Sequence, residues 1–279
     1  MLAFKFMQRT LIVSMMISIM IPLIGIVLVN RKTSMIGDAL SHVSLAGVAA
    51  GLILSINPLI GGVIACIIGA FGIEGIRKKF PHYGDMATGM ITAVGLGIAA
   101  VLSDFAPGGN SFEAYLFGSI VSISKLDLIL ISITFLLVVT MSIMFYGGLL
   151  NICISPNLAR LAGVNTKFIN GLFTFLASIT VALSSKVIGA LMVTSLIVLP
   201  VANALMVSKS YKETYIYTIL FGILHTMSGV LFSYYFDVKP GGAIVVFAGL
   251  GLSITFIITK LRERALKKNK VILREQPEN

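Results

Sequence analysis

Gly37-Asp38-Ala39-Leu40-Ser41-His42-Val43-Ser44-Leu45-Ala46-Gly47 places an acid and a histidine inside a hydrophobic stretch that continues to Ile56. Four residues apart on a helix, the two side chains project from one face, one turn from each other. Burying such groups in hydrocarbon is costly unless they find partners, so an intramembrane acid or histidine marks a functional site by default. Carboxylate oxygen with imidazole nitrogen is a ligand pair for a divalent transition metal. The bland alternative is a helix-start acid favoured by the dipole near Arg31 and Lys32, followed by a hydrogen-bonded interhelical histidine. On a continuous helix His42 lies about 15 Å from those bases, so snorkelling at the interface does not explain it. The stretch reads as a metal-handling site within a membrane.

Composition agrees. Of 279 residues, 57% are hydrophobic and 11% charged, with mean hydropathy +1.00, whereas soluble domains carry about 25% charged residues. Apolar segments long enough to span, or nearly so, run over 11–29, 38–56, 59–76, 86–103, 125–149, 168–185, 187–207, 213–236 and 241–259. The expectation is an all-α polytopic bundle of about eight or nine spans. It forms a single domain over 1–279 with a short basic cytosolic tail at 260–279. Only Ser185-Lys186 separates two of the segments, so one of them could be re-entrant. Lys5 and Arg9 ahead of the first apolar run resemble a signal peptide, but the run is long and lacks a small-residue cleavage site. It reads as a retained first helix.

The formal charge of +10 would suggest nucleic acid in a soluble protein. Here the bases cluster in short loops and at the C-terminus, where they set orientation instead, with the C-terminus inside. Cys66 and Cys153 form neither a disulfide framework nor a paired metal spacing. Gly61-Gly62, Gly69, Gly72, Gly89, Gly95 and Gly97 suit close helix approach, and Pro200 predicts a kink or local break. His225 is the other histidine in an apolar span and a candidate third ligand, though a lone histidine there is more often a packing residue. His82 and the acids Asp104, Glu113 and Asp127 read as solvated loop charge. Asp85 reads as a helix-start cap, and Glu74 as a local ion-pair partner of Arg77 and Lys78. No GxxxxGK[ST] loop is present, so the chain is not expected to hydrolyse ATP, nor does it carry an HExxH protease motif.

One extramembrane stretch is informative: Ser155-Pro156-Asn157-Leu158-Ala159-Arg160-Leu161-Ala162-Gly163-Val164. Serine suits an N-cap, proline the first helical position and glycine the stop. The stretch spells a two-turn helix on the inner side, with Leu158, Leu161 and Ala162 forming an apolar face. So short a helix is unstable alone and must dock, on its own bundle or on a cytosolic partner.

With these pieces placed, the chain resembles the membrane permease subunit of ATP-binding cassette importers for manganese, zinc and iron. The carrying stretches are 35–52, 85–99, 113–128, 159–164, 186–205 and 228–245, in the family's order and nearly end to end. The resemblance implies a type II importer permease in a bacterial plasma membrane, paired with a second copy. It implies a cytosolic ATPase dimer and an extracytoplasmic metal-binding protein as partners, the metal as substrate, and no permanent cofactor. Asp38 and His42 correspond to residues that coordinate the metal, and 155–163 to the ATPase-coupling helix. Relatives carry acidic residues ahead of the alanine, where this chain has Ser155 and Asn157. The rival readings are an ion-coupled secondary metal transporter without an ATPase, and a non-transporting membrane scaffold.

Overall fold

The structure, a computed structural model, describes residues 5–80, 83–106, 109–119 and 123–274. These form helices throughout, with no strand among the described residues: α1 Lys5–Asn30, α2 Met35–Ile53, α3 Pro58–Lys79, α4 Gly84–Ser103, α5 Gly109–Phe117, α6 Lys125–Met144, α7 Tyr146–Ile154, α8 Pro156–Leu161, α9 Thr166–Ile188, α10 Ala190–Val207, α11 Tyr211–Phe236 and α12 Pro240–Arg274. Nine of them are long and apolar enough to cross a membrane. His82 lies outside the described residues, as does the end of the tail beyond Arg274.

Local chemistry sets many of the helix starts. Asn57 caps α3, accepting from the Leu59 amide at 3.0 Å, with Pro58 at the first position. Asn165 caps α9 through the Phe168 amide at 3.1 Å. Ser210 caps α11 through the Glu213 amide, and Glu213 returns to the Lys209 amide at 2.7 Å. The 125–149 segment is not one helix: α6 ends at Met144 and α7 restarts at Tyr146. Hydropathy misses this break because α7 is itself apolar and buries Leu149 and Ile152. Pro200 does not break its helix. α10 runs through it, and the interruption falls at Gly189, whose φ of 99° only glycine adopts freely.

The core forms around α1, which packs on α6, α9, α10 and α11. Ile17, Met20, Ile21 and Ile24 are all buried, as expected for a helix apolar on every side. Beside this core, α2 lies between α3 and α4. Gly47 and Gly61 let α2 and α3 touch backbone to backbone, where a Cβ on either would strike the other's carbonyl. Gly62, Gly69 and Gly95 also sit against α2, whereas Gly89 and Gly97 face open space.

At the opposite end from α8, the ends of α5 and α9 and the start of α12 converge. Gly118, Gly189 and Gly241 each bring backbone against backbone there. Next to this junction Asp127 departs from expectation. It is not a solvated loop acid but a buried one, 2.6 Å from Lys186 Nζ at the end of α9. It also closes a capping box with Ser124, accepting from the Ser124 amide at 2.7 Å. Burial of the Tyr115 phenol, reinforced by the Asp127 charge, pushes its pKa up to about 12. Asp104 is exposed, as expected of a loop acid.

Candidate metal site and docking helix

The chain reaches α2 by a tight reversal after α1. The Thr33 amide and hydroxyl both donate to the Leu28 carbonyl, and Lys32 takes a left-handed φ of 55°. Asp38 falls in the first turn of α2, where the helix dipole favours a carboxylate. One turn on, His42 projects from the same face, and its Nε2 lies 3.7 Å from Asp38 Oδ1. That is too long for a hydrogen bond. It is short enough for one ion to bind both, since two metal–ligand bonds of about 2.1 Å reach further than that gap. The His42 Nδ1 is buried without a partner, and the ring is 12% exposed against 39% for the Asp38 side chain.

Asp38 faces water. It lines an open cavity of about 680 Å3 with Lys32, Ser34, Met35, Asp85, Thr88 and Thr92, between the start of α2 and α4. Asp85 is exposed there in the first turn of α4, with Tyr83 rather than Asp85 at the N-cap. A hydrophilic approach therefore leads from the helix-start end of α4 to the carboxylate, while His42 stays in the packed interior. On the other side of Asp38, the Thr194 hydroxyl of α10 donates to Oδ1 at 3.4 Å.

The structure does not bring His225 to this pair. His225 is fully buried in α11, its Nε2 3.5 Å from Asn203 Nδ2, with the Phe221 ring beside it and Gly251 against its edge. Thr194 and Asn203 are nine residues apart on α10. They point to opposite sides of it, about 13 Å apart along its axis. Among the described residues no group of three His, Cys, Asp or Glu side chains could hold a metal.

Near the end of α3, Glu74 pairs with Lys78 at 3.4 Å. The Arg31 guanidinium donates to Asn170 Oδ1 at 3.3 Å. Burial lowers the Arg31 pKa from its usual value, an effect the Glu74 charge opposes.

The capped helix forms as its sequence spells it. Ser155 accepts from the Leu158 amide, Pro156 opens α8, and Gly163 stops it at φ 78°. Its apolar face is not the one packed on the bundle. Ala159 is the residue buried against the bundle, and Arg160 donates to Thr166 Oγ1 at 3.2 Å. Leu158 and Leu161, 60% and 85% exposed, point away with Ala162 and leave an apolar surface uncovered. The interior α9 starts four residues after α8 ends.

Two of these features lay beyond sequence reasoning. Thr194 looks like any other threonine in an apolar helix, and Lys186 and Asp127 are 59 residues apart. A basic residue left at the end of an apolar run was the one available signal.

A bundle of membrane-spanning helices with a short capped helix between two of them is the fold of a polytopic membrane permease. The chain belongs to the ABC 3 transport family, whose sequence profile matches residues 3–259. It is 30% identical to the high-affinity zinc uptake system membrane protein ZnuB of Haemophilus influenzae, over 87% of this chain and 94% of that one. It is 25% identical to the manganese transport system membrane protein MntC of Listeria monocytogenes, over 97% and 96%. In three dimensions it matches PsaBC from Streptococcus pneumoniae, solved in complex with Fab, with a TM-score of 0.81, 25% identity and 91% of each chain covered. It is a multi-pass membrane protein of a metal-transport family.

Proposed function

We propose that this chain is the permease subunit of an ATP-driven importer that carries a divalent transition metal, manganese, zinc or iron, to the cytosol. The observation that carries the reading is the Asp38–His42 pair, 3.7 Å apart, with Asp38 on the wall of an open cavity. Relatives named for zinc, manganese and iron transport support the substrate class. Asp38 and His42 would supply an oxygen and a nitrogen to a metal that has shed part of its water shell. The remaining ligands would come from water and from a second copy of the chain. His225 takes no part in this reading and acts as a buried hydrogen-bonding residue.

The uncovered Leu158 and Leu161 support α8 as the part that seats in a cytosolic ATPase. Apolar surface on so short a helix is stabilised by a partner. An extracytoplasmic binding protein would deliver the metal at the opposite face. The test is uptake of Mn2+ and Zn2+ into proteoliposomes that contain the permease with its ATPase. ATP-dependent uptake that Asp38→Ala and His42→Ala both abolish is the expected result. Normal uptake by both variants would sink the site assignment. Uptake of equal rate without any ATPase would favour an ion-coupled carrier.

A further inference from the structure

We infer that Thr194 is a positioning residue of the metal site, holding the Asp38 carboxylate in the rotamer that faces His42. The inference rests on the reading of Asp38 and His42 as ligands. Hydroxyls inside helices commonly bond to their own backbone three or four residues back. Thr88 donates to Gly84 and Thr92 to Thr88 in this way, as Ser132 does to Leu128 and Ser185 to Val181. Thr194 does something different: its hydroxyl reaches a carboxylate on another helix, 156 residues earlier in the chain.

The oxygen it reaches is the one that matters. Asp38 Oδ1 is both the acceptor of the Thr194 hydroxyl and the atom facing His42 Nε2. A carboxylate oxygen has two lone pairs, so one takes the threonine proton while the other stays available to a metal. Without that tether the Asp38 side chain, 39% exposed to the cavity, is free to swing toward water and toward Lys32.

Packing holds the tether in register. Ile197 is one turn beyond Thr194 on α10, and its side chain fills the space over Gly37, the residue before Asp38. Its carbonyl lies against Gly25 of α1, where a Cβ would clash. Two glycine contacts therefore fix α10 along α1 and α2, and Thr194 arrives beside Asp38 as a consequence. The site thus takes a positioning group from the tenth helix, which the acid–histidine spacing on α2 does not reveal.

The experiment titrates Mn2+ alone, followed by its electron paramagnetic resonance signal, into the permease–ATPase complex held in lipid nanodiscs. Asp38→Ala, Thr194→Val and Thr194→Ser are compared with wild type. Thr194→Val keeps the side-chain shape and removes the hydroxyl, so it is expected to weaken binding about ten- to a hundredfold, the usual loss when a ligand's hydrogen-bond partner is removed. Thr194→Ser restores the hydroxyl and is expected to bind within about threefold of wild type. A purely structural threonine would give the opposite order, with valine tolerated and serine impaired. That order, or wild-type affinity in Thr194→Val while Asp38→Ala loses binding, overturns the inference and leaves the ligand reading intact. Wild-type affinity in Asp38→Ala removes the ligand reading first, and the role of Thr194 with it.

Discussion

Replacing Lys186 by methionine tests how the end of the bundle opposite α8 is held. Asp127 is 2% exposed as a side chain and Lys186 15%, with 2.6 Å between carboxylate and ammonium. Both charges are therefore largely out of water, and solvent screening takes little from the interaction. Lys186→Met leaves the carboxylate buried without its ammonium partner, with the Ser124 amide still donating to it. Removing one partner of a buried pair costs about 3–5 kcal/mol, whereas replacing both partners by groups of similar volume is often close to neutral. Asp127→Asn in the same chain removes the stranded charge and keeps an oxygen for the capping box, so the double variant should recover most of the loss. Thermal and denaturant unfolding in detergent, read by tyrosine fluorescence and by helicity, would measure both. Two results would refute the reasoning: a single-variant loss under about 1 kcal/mol, the value expected of a screened surface pair, or a double variant less stable than Lys186→Met.

Other expectations follow from packing and from the site. Gly47→Leu forces a side chain into the Gly61 carbonyl and Ala65 and should destabilise by about 1–3 kcal/mol or more, whereas Gly97→Ala, with nothing near it, should leave the melting temperature unmoved. Leu161→Asp on the exposed face of α8 should lower co-purification of the ATPase and uptake together while leaving the permease's own melting temperature within error, and an unchanged yield of complex would count against docking at that face. Mn2+ at a hundred times its Kd should raise the stability of the wild-type complex by about 2.7 kcal/mol. The same addition should do nothing for His42→Ala, and an equal shift in both proteins would place the stabilising ion elsewhere.

Much of the architecture was legible because the bilayer imposes it. The absence of water forces each span to satisfy its own backbone, so long apolar runs announce helices, and six of the nine drawn segments fall within single observed helices, while 38–56 overruns α2 and 125–149 and 187–207 each straddle a break. The α8 turn was equally legible, since Ser155, Pro156 and Gly163 are local instructions that act through neighbouring backbone groups. What failed was whatever depends on a second segment. Which face of α8 the bundle covers was left open by the sequence, and α7 and α9 decide it by burying Ala159 rather than Leu158. Asp127 looked like a loop acid because its partner comes from the end of α9. Proline chemistry marked Pro200 for a kink or local break, yet α10 runs through it and the helices are interrupted at Gly189. The metal site divides the same way. Spacing on one helix exposes Asp38 and His42, while nothing about Thr194 distinguishes it until α10 is seen against α2.

The glycine junction has a mechanical consequence. At Gly118, Gly189 and Gly241 three backbones meet almost directly, with the Met192 side chain the one side-chain neighbour within reach, so few rotamer changes are available there to absorb movement. Such a joint behaves as a fulcrum. From it, α9 extends 23 residues toward α8, an arm of about 34 Å. Thr194 sits five residues beyond the joint on α10, an arm of about 7.5 Å. If the two helices turn together about Gly189, a push at α8 reaches Asp38 reduced about fourfold or fivefold. A displacement of about 5 Å at α8 would arrive as about 1 Å at the Asp38 carboxylate, enough, on the proposed reading, to lengthen a metal–oxygen contact past bonding. Spin-label distances across α8 and across the Thr194 turn, taken with and without nucleotide, would give that ratio directly, and equal shifts at both ends would rule the lever out.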